Sequence, residues 1–91
     1  MKKLDNWFVG KTPKGHFWLR GDLPEDDIEY GYLHQSSNII DFNKETRVAT
    51  TRSGSQYLLL SESYFNKQSG RKIEEIADWG YDEKGNDTLS Q

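Results

Sequence analysis

No cysteine occurs in the 91 residues, which excludes a disulfide framework, a thiolate metal site and a cysteine nucleophile. Histidine is nearly as scarce. His16 and His34 stand eighteen residues apart on different predicted elements, outside any zinc-ligand spacing. No stretch approaches the roughly 18 apolar residues of a membrane span. Behind Lys2 and Lys3 there is no apolar run of about 7–15 residues of the kind a leader carries, so the expected location is the cytoplasm and no membrane partner is expected. An excess of basic residues is also missing. Twelve Lys and Arg against fifteen Asp and Glu leave a formal net charge of −3, opposite to the usual footprint of a nucleic-acid binder, although a local basic patch stays open.

What is present is aromatic. Apolar residues amount to 33% and aromatics to 13%, with three Trp, five Tyr and four Phe, so a few large rings must do most of the burying. The length allows one core, read as a single β-rich domain over residues 1–80. Residues 81–91 hold one large apolar side chain after Tyr81 and read as a flexible acidic tail.

Trp7-Phe8-Val9 and Phe17-Trp18-Leu19, separated by the turn formers of residues 10–15, predict a hairpin with both faces partly apolar. Residues 28–33 alternate well enough for a third strand, with Gly31 as a bend. Ile39 to Phe42, a turn at residues 43–46 and Arg47 to Thr51 read as strand, turn, strand. A second turn at residues 52–55 carries Gly54 where a left-handed conformation is needed, and Gln56 to Leu60 returns as a strand covered on both sides. Ser69 as N-cap and Gly80 as C′ residue bracket a predicted amphipathic helix, whose Ile73, Ile76 and Trp79 stripe should pack on the sheet. Tyr64 and Phe65 before it extend the last strand or fill the space beneath the helix. The fold class expected is mainly β: a small antiparallel sheet of about six strands, curled or barrel-like, with one short C-terminal helix.

Catalytic motifs are wanting. Ser53 or Ser55 could be combined with His34, but no nucleophile elbow is present, and serine beside glycine is ordinary turn chemistry. Asp82 with Lys84, taken with Glu25, copies a nuclease spacing but falls in the predicted tail. The acidic run fails as a calcium loop because Pro24 replaces a ligand and no glycine follows at the sixth position. No enzyme, metal or cofactor is therefore expected.

Two binding features remain. Asp22, Glu25, Asp26, Asp27 and Glu29 fall within eight residues lacking Lys or Arg, which reads as a contact surface for a basic protein. Arg52, Ser53, Gly54 and Ser55, with Tyr57 following, offer hydroxyls, a guanidinium and backbone N–H groups suited to an anion. That turn is the alternative site, for a phosphate-bearing small molecule or single-stranded nucleic acid, with Trp18, Tyr30, Tyr32 and Tyr57 as stacking surfaces. Short edge strands keep a homodimer among the expected partners.

Residues 36–40 followed by residues 48–58 resemble a recurring pattern in small, largely uncharacterised phage and mobile-element proteins, whose hallmark is Thr-x-Ser-Gly-Ser-x-Tyr, here Thr51 through Tyr57. Leu60 and Ser61 depart from it, standing where a glycine commonly follows. The resemblance implies a phage or prophage origin and a compact antiparallel β domain, and it names no reaction. Proteins of this kind often occupy the surface of a host protein or sequester a small molecule, so inhibition of a host defence is the expected context.

Overall fold

The computed structural model describes residues 1–25 and 33–89. Five strands, β1 (Lys2–Lys11), β2 (Phe17–Asp22), β3 (His34–Asn43), β4 (Val48–Thr51) and β5 (Gln56–Leu59), form a closed barrel in chain order. A helix, α1 (Tyr64–Ser69), and one 3₁₀ turn (Ile73–Glu75) follow. Consecutive strands are antiparallel, whereas β1 and β5 pair in parallel, with Lys2 opposite Tyr57 and Leu4 opposite Leu59. The closure is parallel by necessity, since the first and fifth strands of an alternating series point the same way.

Among the described residues each strand has two neighbours, so the free edges behind the expected dimer are absent. Five strands are found where about six were expected. The third predicted strand falls mostly at residues 26–32, outside the described part of the chain.

Bulges bend the two ten-residue strands around the barrel. An extra residue sits in β1 between Asp5 and Phe8, and β3 holds one extra against β2 and another between Ile39 and Asp41. Each bulge resets the alternation of faces, so that Leu4 and Trp7 both point inward although three residues apart, as do Ile39 and Phe42. These four join Val9, Leu19, Ala49, Tyr57 and Leu59 in the core. On the outer face of the hairpin Phe8 meets Trp18 edge-on, with ring centroids 6.0 Å apart. The Trp18 indole occupies the place a Cβ on Gly10 would need, so glycine is required there. Both faces of this hairpin are therefore apolar in part, as expected. The outer face of β5 is covered only in part, with Gln56 exposed and Leu58 half-buried, and Leu60 just past the strand is 42% exposed.

The helix lies upstream of its expected position. Ser63 is the true N-cap, its hydroxyl accepting from the Asn66 N–H, and Gly70 in the left-handed region (φ 71°) ends the helix where the sequence reading began one. Ile73, Ile76 and Trp79 do pack on the barrel, through the 3₁₀ turn and extended chain. Residues 81–89 are likewise not the tail expected. Tyr81 bridges to Asp87 and stacks on His16 at 4.5 Å, while His16 Nε2 lies 3.0 Å from Asp87 Oδ1.

Candidate functional site

The turn at residues 52–55 forms as the glycine predicts. Gly54 adopts φ 91° and its N–H donates to the Thr51 carbonyl at 2.9 Å, while the Thr51 N–H donates to Ser55 O. The backbone anion cradle is not formed. The Arg52 N–H donates to Asn38 O at 2.8 Å, and the Ser53 N–H donates to Ser37 Oγ at 3.2 Å, so the donors needed for an anion are spent inside the protein. What the turn offers is side chains. Ser37 Oγ donates to Ser53 Oγ (3.0 Å) and Ser53 Oγ to Ser55 Oγ (3.4 Å), a hydroxyl chain along an exposed surface.

Arg52 is exposed, with its guanidinium over the Tyr81 ring at 5.3 Å from the centroid. The Tyr81 hydroxyl accepts from Asn38 Nδ2 at 2.9 Å, which fixes the ring that carries the cation. Tyr57 does not belong to this group. It is 2% exposed, faces the barrel interior, and its hydroxyl lies 2.7 Å from His34 Nε2. A strand read as covered on both sides does not tell which of its residues face the core, so the sequence left Tyr57 among the site residues.

Of the acidic segment, Asp22 is half-buried at the end of β2 and Glu25 is exposed, 2.8 Å from Lys3 Nζ. That carboxylate raises the Lys3 pKa above its ordinary value, chiefly by hydrogen bonding. Asp26, Asp27 and Glu29 lie outside the described residues, as do Tyr30 and Tyr32. Trp18 is half-buried against Phe8 and so is not an open stacking platform.

The largest exposed rings on the described surface lie elsewhere. Tyr64 and Phe65 are 69% and 74% exposed on α1, and Leu60, shortly before it in the chain, is exposed too. They neither extend a strand nor fill a gap. The other side of α1 is locked down: Asn66 is fully buried, its Oδ1 accepts from the Val9 N–H at 2.8 Å, and its Nδ2 donates to Arg71 O and to Glu62. Arg71 Nη1 donates to Val9 O at 2.9 Å, tying the chain beyond α1 to the same strand. One buried side chain in six thus holds the helix, and the short segment leaves its two rings in solvent. Ser63 and Gly70 bracketing six residues were the sequence signal for this arrangement.

Arg47 fastens the 3₁₀ turn. Its guanidinium lies over Phe42 (5.1 Å) and Trp7 (6.0 Å) and pairs with Glu74, which it holds below the usual carboxylate range by donating a hydrogen bond.

No family model matches the chain. Comparisons with curated proteins and with solved structures found no match either.

Proposed function

We propose that this chain is a non-enzymatic binding protein that occupies the surface of another protein, with Tyr64 and Phe65 as its anchors. The observation that carries the reading is the pair of aromatic rings, 69% and 74% exposed on a helix whose far side is fixed by Asn66. Aromatic side chains have only two rotatable bonds to freeze on entering a pocket, which is one reason they dominate binding hot spots. The acidic segment, of which Asp22 and Glu25 are described, supports a partner with a basic face, since rim charges act mainly by speeding encounter. The resemblance at residues 51–57 extends the reading to a phage-encoded protein acting on a host protein, with a host defence as the process inhibited.

The test is capture from a host lysate by tagged wild type and by the Tyr64→Ser/Phe65→Ser double variant. Both rings are exposed, so the variant should fold normally. The stoichiometric partner held by wild type should be lost, with affinity falling at least about thirtyfold, as expected for removing hot-spot side chains worth about 2 kcal/mol. Equal capture by both proteins contradicts the reading.

A further inference from the structure

Residues 63–73 hold Lys67, Arg71 and Lys72 and no Asp or Glu, so a basic stretch is set into a chain whose formal net charge is −3. All three cations line one open cavity of about 400 Å³, together with Glu62 and Glu74. The two carboxylates are engaged within the protein. Glu62 accepts from Asn66 Nδ2, and Glu74 pairs with Arg47. Arg71 is engaged in part, its Nη1 donating to Val9 O at 2.9 Å. Lys67 and Lys72 are both exposed, and the ion pairs among the described residues, Lys3 with Glu25, His16 with Asp87 and Arg47 with Glu74, include neither.

The exposed rings adjoin this cavity through α1 itself. A helix of six residues is only about 9 Å long, and Tyr64 and Lys67 share one face of it at positions i and i+3. A partner side chain that packs on Tyr64 and Phe65 therefore brings its own neighbours over the lysines. From this juxtaposition we infer that the docked protein presents an acidic segment, with an aspartate or glutamate seated in the cavity that Lys67 and Lys72 line, next to the apolar side chain that meets the rings. The inference rests on docking through Tyr64 and Phe65 and adds the charge of what docks there. Each lysine brings a point charge on a flexible stem, which can follow a carboxylate without a fixed geometry. The partner is thereby specified at two places, basic where it meets Asp22 and Glu25 and acidic where it meets α1.

An acidic protein segment suits the site better than a nucleic-acid strand, the other anionic chain that open rings and lysines attract. A strand carries a phosphate on every nucleotide and is held by a run of cations, whereas Glu62 and Glu74 stand on the same wall as the lysines. The net charge of −3 also opposes a polyanion at long range. A carboxylate beside an apolar side chain asks for no more than the two lysines provide.

The experiment is titration of ¹⁵N-labelled full-length protein, followed by amide shifts, with three probes. These are a blocked peptide of two leucines and four glutamates, its counterpart with glutamine in place of glutamate, and an oligothymidylate of about eight nucleotides. Saturable shifts should appear over residues 64–72, with the glutamate peptide bound about fivefold or more tighter than the glutamine peptide, the order expected for two partly exposed ion pairs. The double variant Lys67→Gln/Lys72→Gln should erase that preference, and Lys14→Gln, at an exposed lysine elsewhere, should keep it. Tyr64→Ser/Phe65→Ser should weaken both peptides. Equal binding of the two peptides over residues 64–72, or a preference that survives the double lysine variant, would overturn the acidic partner and leave docking through the rings in place. No saturable shift over these residues with either peptide, or affinities unchanged in Tyr64→Ser/Phe65→Ser, would overturn ring docking and the inference with it. Tighter binding of the oligothymidylate than of the glutamate peptide would overturn the choice of partner.

Discussion

Arg47 shows how one side chain can outweigh the conformation it imposes. It adopts φ 63° without being glycine, a left-handed conformation that costs a residue with a Cβ roughly 1–2 kcal/mol. In return its guanidinium covers Phe42 and Trp7 and holds Glu74. Arg47→Ala removes these contacts and keeps the backbone cost, whereas Arg47→Gly removes both. Urea unfolding should therefore find the alanine variant less stable than the glycine variant by about 1 kcal/mol. Equal stabilities would mean that the turn relaxes and the strain is absent. The ion pair has a pH signature of definite sign. Glu74 titrates below its ordinary value of 4.5 in the folded protein, so its stabilisation is complete above that value and is lost as the pH falls through the folded one. Wild type should lose its advantage over Glu74→Gln across that acid range. The difference stays under about 1 kcal/mol because both partners are partly exposed. A constant difference from pH 7 to pH 3 would contradict the pairing.

Elements were legible where turn chemistry fixed them and illegible where a single polar side chain did. The turns at residues 43–46 and 52–55 were readable because Asn43 accepts from following N–H groups and Gly54 takes a positive φ. The helix was misplaced because six residues are too few for a 3.6-residue period to show. Its anchor is an asparagine, which sequence patterning counts as surface. Residues 81–89 were misread for the same reason: their order comes from Asp82, which accepts from the Lys84 and Asn86 N–H groups, and from the stack of Tyr81 on His16. The backbone N–H of Asn86, the strongest of the donors around Asp82, holds that carboxyl below the usual range. Asn66→Ala should cost about 2–4 kcal/mol, since it orphans the buried Val9 N–H and removes a partner from Arg71 O. A loss under 1 kcal/mol in urea unfolding would show that water replaces the amide. Gly21→Ala belongs to the same scale. Its Cβ would lie 2.7 Å from Asp5 O and 3.0 Å from Trp7 Cα, so the β1–β2 pairing must shift and the melting temperature fall by several degrees.

At the scale of the whole molecule, the mainly β class followed from short aromatic runs between turns, but ring closure did not. Nothing local in Lys2 announces that it will stand beside residues more than fifty positions away, because the parallel pairing is a consequence of strand number. Bulges hid the register too, since they break the two-residue alternation on which strand reading depends. The candidate sites divide in the same way: Arg52 and its serines were readable from composition, whereas Lys2 and Tyr81 reach the turn only through tertiary structure. Charge acts over the longest distance. Replacing Asp22, Glu25, Asp26, Asp27 and Glu29 with serine should slow association with the captured partner severalfold at low salt and leave dissociation unchanged. An unaltered association rate would remove the acidic segment from the encounter.

The most direct measurement is amide hydrogen exchange on the chain alone and in complex with a protein retained by wild type in the proposed capture experiment. Docking through the exposed rings predicts slowed exchange over residues 60–70, covering Leu60, Tyr64 and Phe65, with the turn at residues 52–55 unaffected. Protection confined to other parts of the barrel, with residues 60–70 exchanging as in the free protein, would contradict it.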